Sequence, residues 1–142
     1  MKHLLVLLLF VIFSVSGFAQ KNPPEHYLVS ATLVKQHTKA TISAIWKKNH
    51  IPKLALPVRN DVDVYEIIYK APWIDSTTWI NCSGIVYVPK VKGKKVATVM
   101  FGHGTEIRKG RTISDGDAQQ GICLGFATDG YFSLYPDYYG IG

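Results

Sequence analysis

His103 and Gly104 stand where a run apolar at nearly every position, Val96 to Phe101, gives way to a turn. Gly102 and Gly104 flank the histidine, so the backbone can bend sharply there and aim N–H groups at a nearby oxygen. Acyl transfer needs such donors, because negative charge develops on the carbonyl oxygen in the transition state. Removing one donor typically costs about 10²–10³ in rate. A His-Gly turn after a strand is a weak signal by itself. The nucleophile that would complete the chemistry is not visible: none of the eight serines sits in a Gly-x-Ser-x-Gly context. His26, His37 and His50 match no metal-ligand spacing, and Asp115-Gly116-Asp117 lacks the remaining ligands of a calcium loop. No metal site is expected.

The elements that must position this turn follow from hydrophobic periodicity. Leu33, Val34, Ile42, Ile45 and Trp46 recur at mixed three- and four-residue spacings, with lysines between them. This pattern predicts a helix over 26–49 with a break near Gln36 to Lys39. Pro52 and Pro57 forbid a regular continuation, leaving Ile51 to Asp63 as a linker. Val62 to Lys70 alternates and is rich in β-branched and aromatic residues, hence a strand. Pro72, Asp75 and Ser76 form a turn that exposes Trp73 and Trp79. Cys82 to Val88 is a second strand. Val96 to Phe101 is a third, apolar enough to suggest cover on both faces. Ser114 to Asp129 predicts a helix, capped by Ser114, Asp115 or Asp117, burying Ile122, Leu124, Phe126 and Ala127 and ended by Gly130. Gly121 and Gly125 weaken it, unless they let the helix approach the sheet closely. Tyr131 to Tyr135 is a fourth strand, ended by Pro136-Asp137. A strand-helix-strand sequence of this kind implies a parallel crossover. The fold class is therefore α/β: three strands, a helix and a fourth strand, preceded by a helical segment.

These segments together resemble the N-terminal part of an α/β-hydrolase. Gly130-Tyr131 and Pro136-Asp137-Tyr138-x-Gly140-x-Gly142, following His103-Gly104 at this separation, carry the resemblance. Tyr65-Glu-Ile-Ile-Tyr-Lys70 and Ser83-Gly-Ile-Val-Tyr-Val-Pro89 add to it, being similar to the opening strands of secreted esterase, lipase and peptidase-like members. It covers most of 62–142. It implies that Thr105, the residue after His-Gly, offers one oxyanion N–H, with Gly104 the neighbouring candidate, and that His103 holds the loop rather than acting as base. Asp137 would support the loop after the fourth strand. The family's order is nucleophile, acid, histidine. All three would come after Gly142, so this chain is expected to lack the triad and to be inactive alone. In the family the third strand pairs with the fourth and with a later strand. The implied substrate of the full-length protein is a small ester or, as second choice, a peptide, with no cofactor. The rival expectation is a small exported non-catalytic binding module, using Trp73, Trp79 and Tyr138-Tyr139 as a contact surface.

The first residues bound the compartment. Met1-Lys-His3, the apolar stretch Leu4 to Phe13 and the small residues before Ala19 have the order of an export signal. The run is too short for a membrane span, which needs about 20 apolar residues. The expected organisation is a signal peptide over 1–19, a helical segment and linker over 20–61 and a partial hydrolase domain over 62–142. The product would be periplasmic or extracellular, with no stable membrane anchor. The formal net charge is +6. The cations are dispersed, however, and the one dense cluster, Lys90, Lys92, Lys94 and Lys95 around Gly93, reads as a solvated hairpin tip. No nucleic-acid-binding motif is present. Cys82 and Cys123 are too few and too far apart for a disulfide framework; an exported protein can pair them, but two buried free thiols are the favoured reading. Oligomeric state is left open.

Overall fold

The computed structural model describes residues 24–52, 55–75, 77–93, 95–102, 104 and 117–137. The proposed signal therefore lies outside the described residues. Among the described residues five strands form one sheet: β1 (Leu28–His37), β2 (Val62–Pro72), β3 (Trp79–Pro89), β4 (Thr98–Met100) and β5 (Phe132–Pro136), in the spatial order β1-β2-β3-β5-β4. Two helices among the described residues accompany it, α1 (Lys39–Lys48) and α2 (Ala118–Asp129). The pairs β1–β2, β2–β3 and β3–β5 are antiparallel, and β4–β5 is parallel. The α/β reading holds, and the strand-helix-strand unit gives the parallel pair that its sequence predicts.

The first expectation to be corrected is the N-terminal helix. The helix predicted over 26–49 is a strand as far as His37 and a helix only from Lys39. Val29, Thr32 and Val34 are β-branched and stiff at χ1, which disfavours helix. An antiparallel ladder from Leu28↔Tyr69 to His37↔Val62 gives their backbone groups partners that local propensity cannot anticipate. Register shifts between Leu28 and Ser30, and between Leu33 and Lys35, break the period of two. This irregularity lets the apolar positions pass for helical spacing. The break expected near Gln36 to Lys39 is real. Thr38 caps α1, its hydroxyl accepting the Thr41 N–H at 3.2 Å, and the Lys39 N–H donates to Asp61 Oδ1 at 2.7 Å.

Both helices share one core with the sheet face that carries Val62, Val64, Ile85, Tyr87 and Tyr135. From α1 come Ile42, Ile45 and Trp46, at helical spacing. From α2 come Cys123, Leu124 and Ala127. Trp46 is buried, and its indole N–H donates to the Leu56 carbonyl at 3.1 Å, tying the linker to α1. Ile122 and Phe126, expected in the core, lie on the outer side of α2. Asp117 is the observed cap, accepting the Gln120 N–H at 2.8 Å, and Gly130 ends the helix at φ 112°. Gly125 does allow close approach, but to the Leu56 side chain of the linker rather than to the sheet: an added Cβ would lie 3.0 Å from it.

The lysine-rich loop is not a hairpin tip. It joins β3 to β4, and β5 lies between those strands. Nor is β4 covered on both faces: Met100 is 67% exposed, and among the described residues β4 pairs only with β5. Cys82 and Cys123 are thiols not joined by a disulfide.

Candidate active site

The parallel strands β4 and β5 run side by side and release their chains at the same edge, the position at which sheets of this kind bind ligands. Their register is Thr98↔Phe132, Val99↔Ser133 and Met100↔Leu134. The end of β4 is held twice more. The Phe101 N–H donates to the Leu134 carbonyl at 2.9 Å, and its ring stacks on that of Tyr135 with centroids 5.8 Å apart and planes 9° from parallel. The buried Tyr135 in turn donates its hydroxyl to Gln119 Oε1 of α2 at 3.1 Å. Gly104 follows this anchored end. It is exposed, and an added Cβ there would meet nothing within 4 Å. The other two residues proposed for this turn, His103 and Thr105, lie outside the described residues.

Asp137 leaves the end of β5 and is held by β3. Its N–H donates to the Ser83 carbonyl at 2.9 Å, and its carboxylate Oδ2 accepts the Ser83 hydroxyl at 2.5 Å. The ladder pairs Tyr87↔Ser133, Ile85↔Tyr135 and Gly84↔Pro136, so Ser83 and Asp137 extend it by one step. Ser83 is the residue that the sequence does not reveal in this role. It is visible as part of Ser83-Gly84, but 54 residues separate it from Asp137. No local pattern connects the two. The neighbouring thiol of Cys82 is pushed up from its ordinary pKa, first by burial and second by the negative charge of Asp137.

The structure thus brings the end of β4 and Asp137 to one sheet edge. It holds no group of three or more His, Cys, Asp or Glu among the described residues that could ligate a metal. A cleft of about 770 Å³ lies elsewhere, lined by Ser43, Trp46, Lys47, His50, Ile51 and Pro57 of α1 and the linker. It contains none of the residues proposed for chemistry. No helix among the described residues is long and apolar enough to cross a membrane.

No known family's sequence profile matches the chain, and no curated protein matches it. Solved structures do. A Legionella pneumophila protein designated a hydrolase is 27% identical, with a TM-score of 0.64, over 82% of this chain and 31% of its own. A point variant of LipA, a rice cell wall degrading esterase from Xanthomonas oryzae, is 21% identical with a TM-score of 0.68, over 84% of this chain and 31% of its own. A ligand-bound form of the same esterase aligns at 20% identity and a TM-score of 0.65, over 84% of this chain and 31% of its own. The chain spans about a third of the length of the structures it matches. Over the residues described, it is α/β-hydrolase-like in fold.

Proposed function

We propose that this chain is the N-terminal part of an exported serine hydrolase that cleaves esters or, as second choice, peptide bonds. The observation that carries this reading is the paired ending of β4 and β5 at one sheet edge, with Gly104 just beyond β4. In this reading the backbone N–H groups of Gly104 and Thr105 stabilise the oxyanion, His103 and Asp137 support the loops around it, and a Ser-His-acid triad comes from sequence beyond Gly142. Residues 1–19 direct export and are removed after Ala19. The likeness to an esterase and to a designated hydrolase supports the reaction class.

The test is hydrolysis of activated short-chain esters by protein expressed from the complete reading frame in an exporting host. We expect ester turnover and a mature N-terminus at Gln20. Absence of turnover from a folded full-length product would refute the hydrolase reading. Retention of Met1 in a membrane fraction would refute export by cleavage.

One observation favours the second reading, a binding module. Tyr27 and Trp79 meet edge to face at 5.6 Å, next to a hairpin tip where Trp73 is partly exposed and Ile74 is 79% exposed. Binding of a ligand to the folded 142-residue chain, quenching the fluorescence of these tryptophans, would support it.

A further inference from the structure

We propose that Ser83 and Asp137 form a positioning clamp that sets where the chain leaves β5 beside the end of β4. The kinetic half of this proposal rests on the hydrolase reading above; the chemical half does not. Two hydrogen bonds join the same pair of residues, one main chain to main chain at 2.9 Å and one side chain to side chain at 2.5 Å. Together they close a ring across β3 and β5 at the last step of the ladder. A ring of this kind fixes both the position and the direction of the Asp137 backbone, where a single ladder bond would leave the strand end free to fray. The side-chain bond involves a carboxylate acceptor, which makes it short and stronger than a neutral pair.

The adjoining residues leave little freedom. Gly84 packs so closely on β5 that an added Cβ would lie 3.1 Å from both Pro136 Cα and the Tyr135 carbonyl oxygen. Pro136 itself has a fixed φ. Ser83-Gly84 on β3 thus faces Pro136-Asp137 on β5 as two matched dipeptides, one supplying close approach and the other direction. β5 also carries β4 on its far side, through the Phe101–Leu134 hydrogen bond and the Phe101–Tyr135 stack. A shift of the β5 end is therefore passed to the end of β4, from which the proposed oxyanion turn starts. In this role Asp137 is a positioning residue. It acts through the strand ends.

The experiment uses protein from the complete reading frame, with Ser83→Ala, Asp137→Asn, the double variant and Ser83→Thr as the conservative rescue. Two readouts are taken. In ester hydrolysis, the clamp predicts that kcat falls roughly 10- to 100-fold while KM stays within about twofold, the scale expected when catalytic groups are displaced by about an ångström. The double variant should lose no more than either single one, and Ser83→Thr should recover most of the rate. The second readout is independent of activity. Cys82 adjoins Ser83, and its thiol is raised partly by the Asp137 charge, so the pH midpoint of its alkylation should fall in Asp137→Asn. Cys123 is buried and serves as the unreactive internal control. Full kcat in both single variants of an active enzyme would overturn the clamp. So would additive losses, or an unchanged Cys82 midpoint in Asp137→Asn. An inactive parent protein would overturn the hydrolase reading instead, and chemical denaturation then decides the clamp: both single variants should lose stability and the double variant no more than either, whereas additive losses would overturn it.

Discussion

Gly84 lies directly opposite Pro136 in the β3–β5 ladder, so close that a methyl group at Gly84 would come within 3.1 Å of the Pro136 Cα. The contact is with backbone, which cannot swing away as a flexible side chain would. The two residues sit in separate halves of the sequence pattern that resembles a hydrolase, and the sheet brings the halves face to face.

Gly84→Ala should therefore destabilise the fold, by roughly 1–3 kcal/mol, the usual cost of forcing an added methyl into packed surroundings. Gly121→Ala is the matched control. An added Cβ there meets nothing within 4 Å, and alanine is the better helix former, so stability should hold or rise. Chemical denaturation of the two variants beside the parent protein checks the contrast. Equal midpoints for both variants would contradict the close approach at Gly84.

The Phe101–Tyr135 stack yields a separable prediction. Phe101→Leu keeps apolar bulk but removes the ring pairing, worth about 0.5–1.5 kcal/mol beyond area burial. Tyr135→Phe keeps the stack and removes the hydroxyl that bonds Gln119, a hydrogen bond worth about 0.5–1.5 kcal/mol. In an active full-length protein Phe101→Leu should lower kcat more than Tyr135→Phe does, because Phe101 lies at the end of β4 that leads toward Gly104, the proposed oxyanion donor. The reverse order would place the control of that donor elsewhere.

Asp75 makes a pH prediction at the β2–β3 tip. Its carboxylate is held down from the ordinary 3.8 to about 2, foremost by the Thr78 backbone N–H, then by the Thr78 hydroxyl and the Thr77 N–H. The hydrogen bonds are 2.9, 2.7 and 2.9 Å long. They favour the charged form in the folded state, so the folded value lies below the unfolded one. The stabilisation is complete above the unfolded value of about 3.9 and is lost as pH falls through about 2. Titration of the side-chain carboxyl by NMR should give a midpoint near 2, with the Thr77 and Thr78 amides shifting at the same pH. A midpoint near the ordinary carboxylate value would show that the turn is not formed in solution.

How much of the fold is legible in the sequence depends on where each partner lies. β2, β3 and α2 are readable because alternation, caps and Gly130 are local signals. α1 is readable only in the second half of the expected helix, since β1 is defined by its ladder to β2 and its two register shifts disguise the strand period. Gly125 suggests close packing, but its contact, Leu56, is set by the path of the linker. At the candidate site, Gly104 and Asp137 stand out in the sequence as residue types. The Ser83–Asp137 bond does not, because only the antiparallel register of β3 and β5 brings the two together.

The most direct test of the central claim is labelling with a fluorophosphonate probe, read by mass spectrometry, on protein expressed from the complete reading frame and on the 142-residue chain alone. The hydrolase reading predicts one labelled serine, in a Gly-x-Ser-x-Gly sequence beyond Gly142, and no specific label on residues 1–142. Specific labelling of any of this chain's own serines, or no labelled serine in a folded full-length protein, would contradict it.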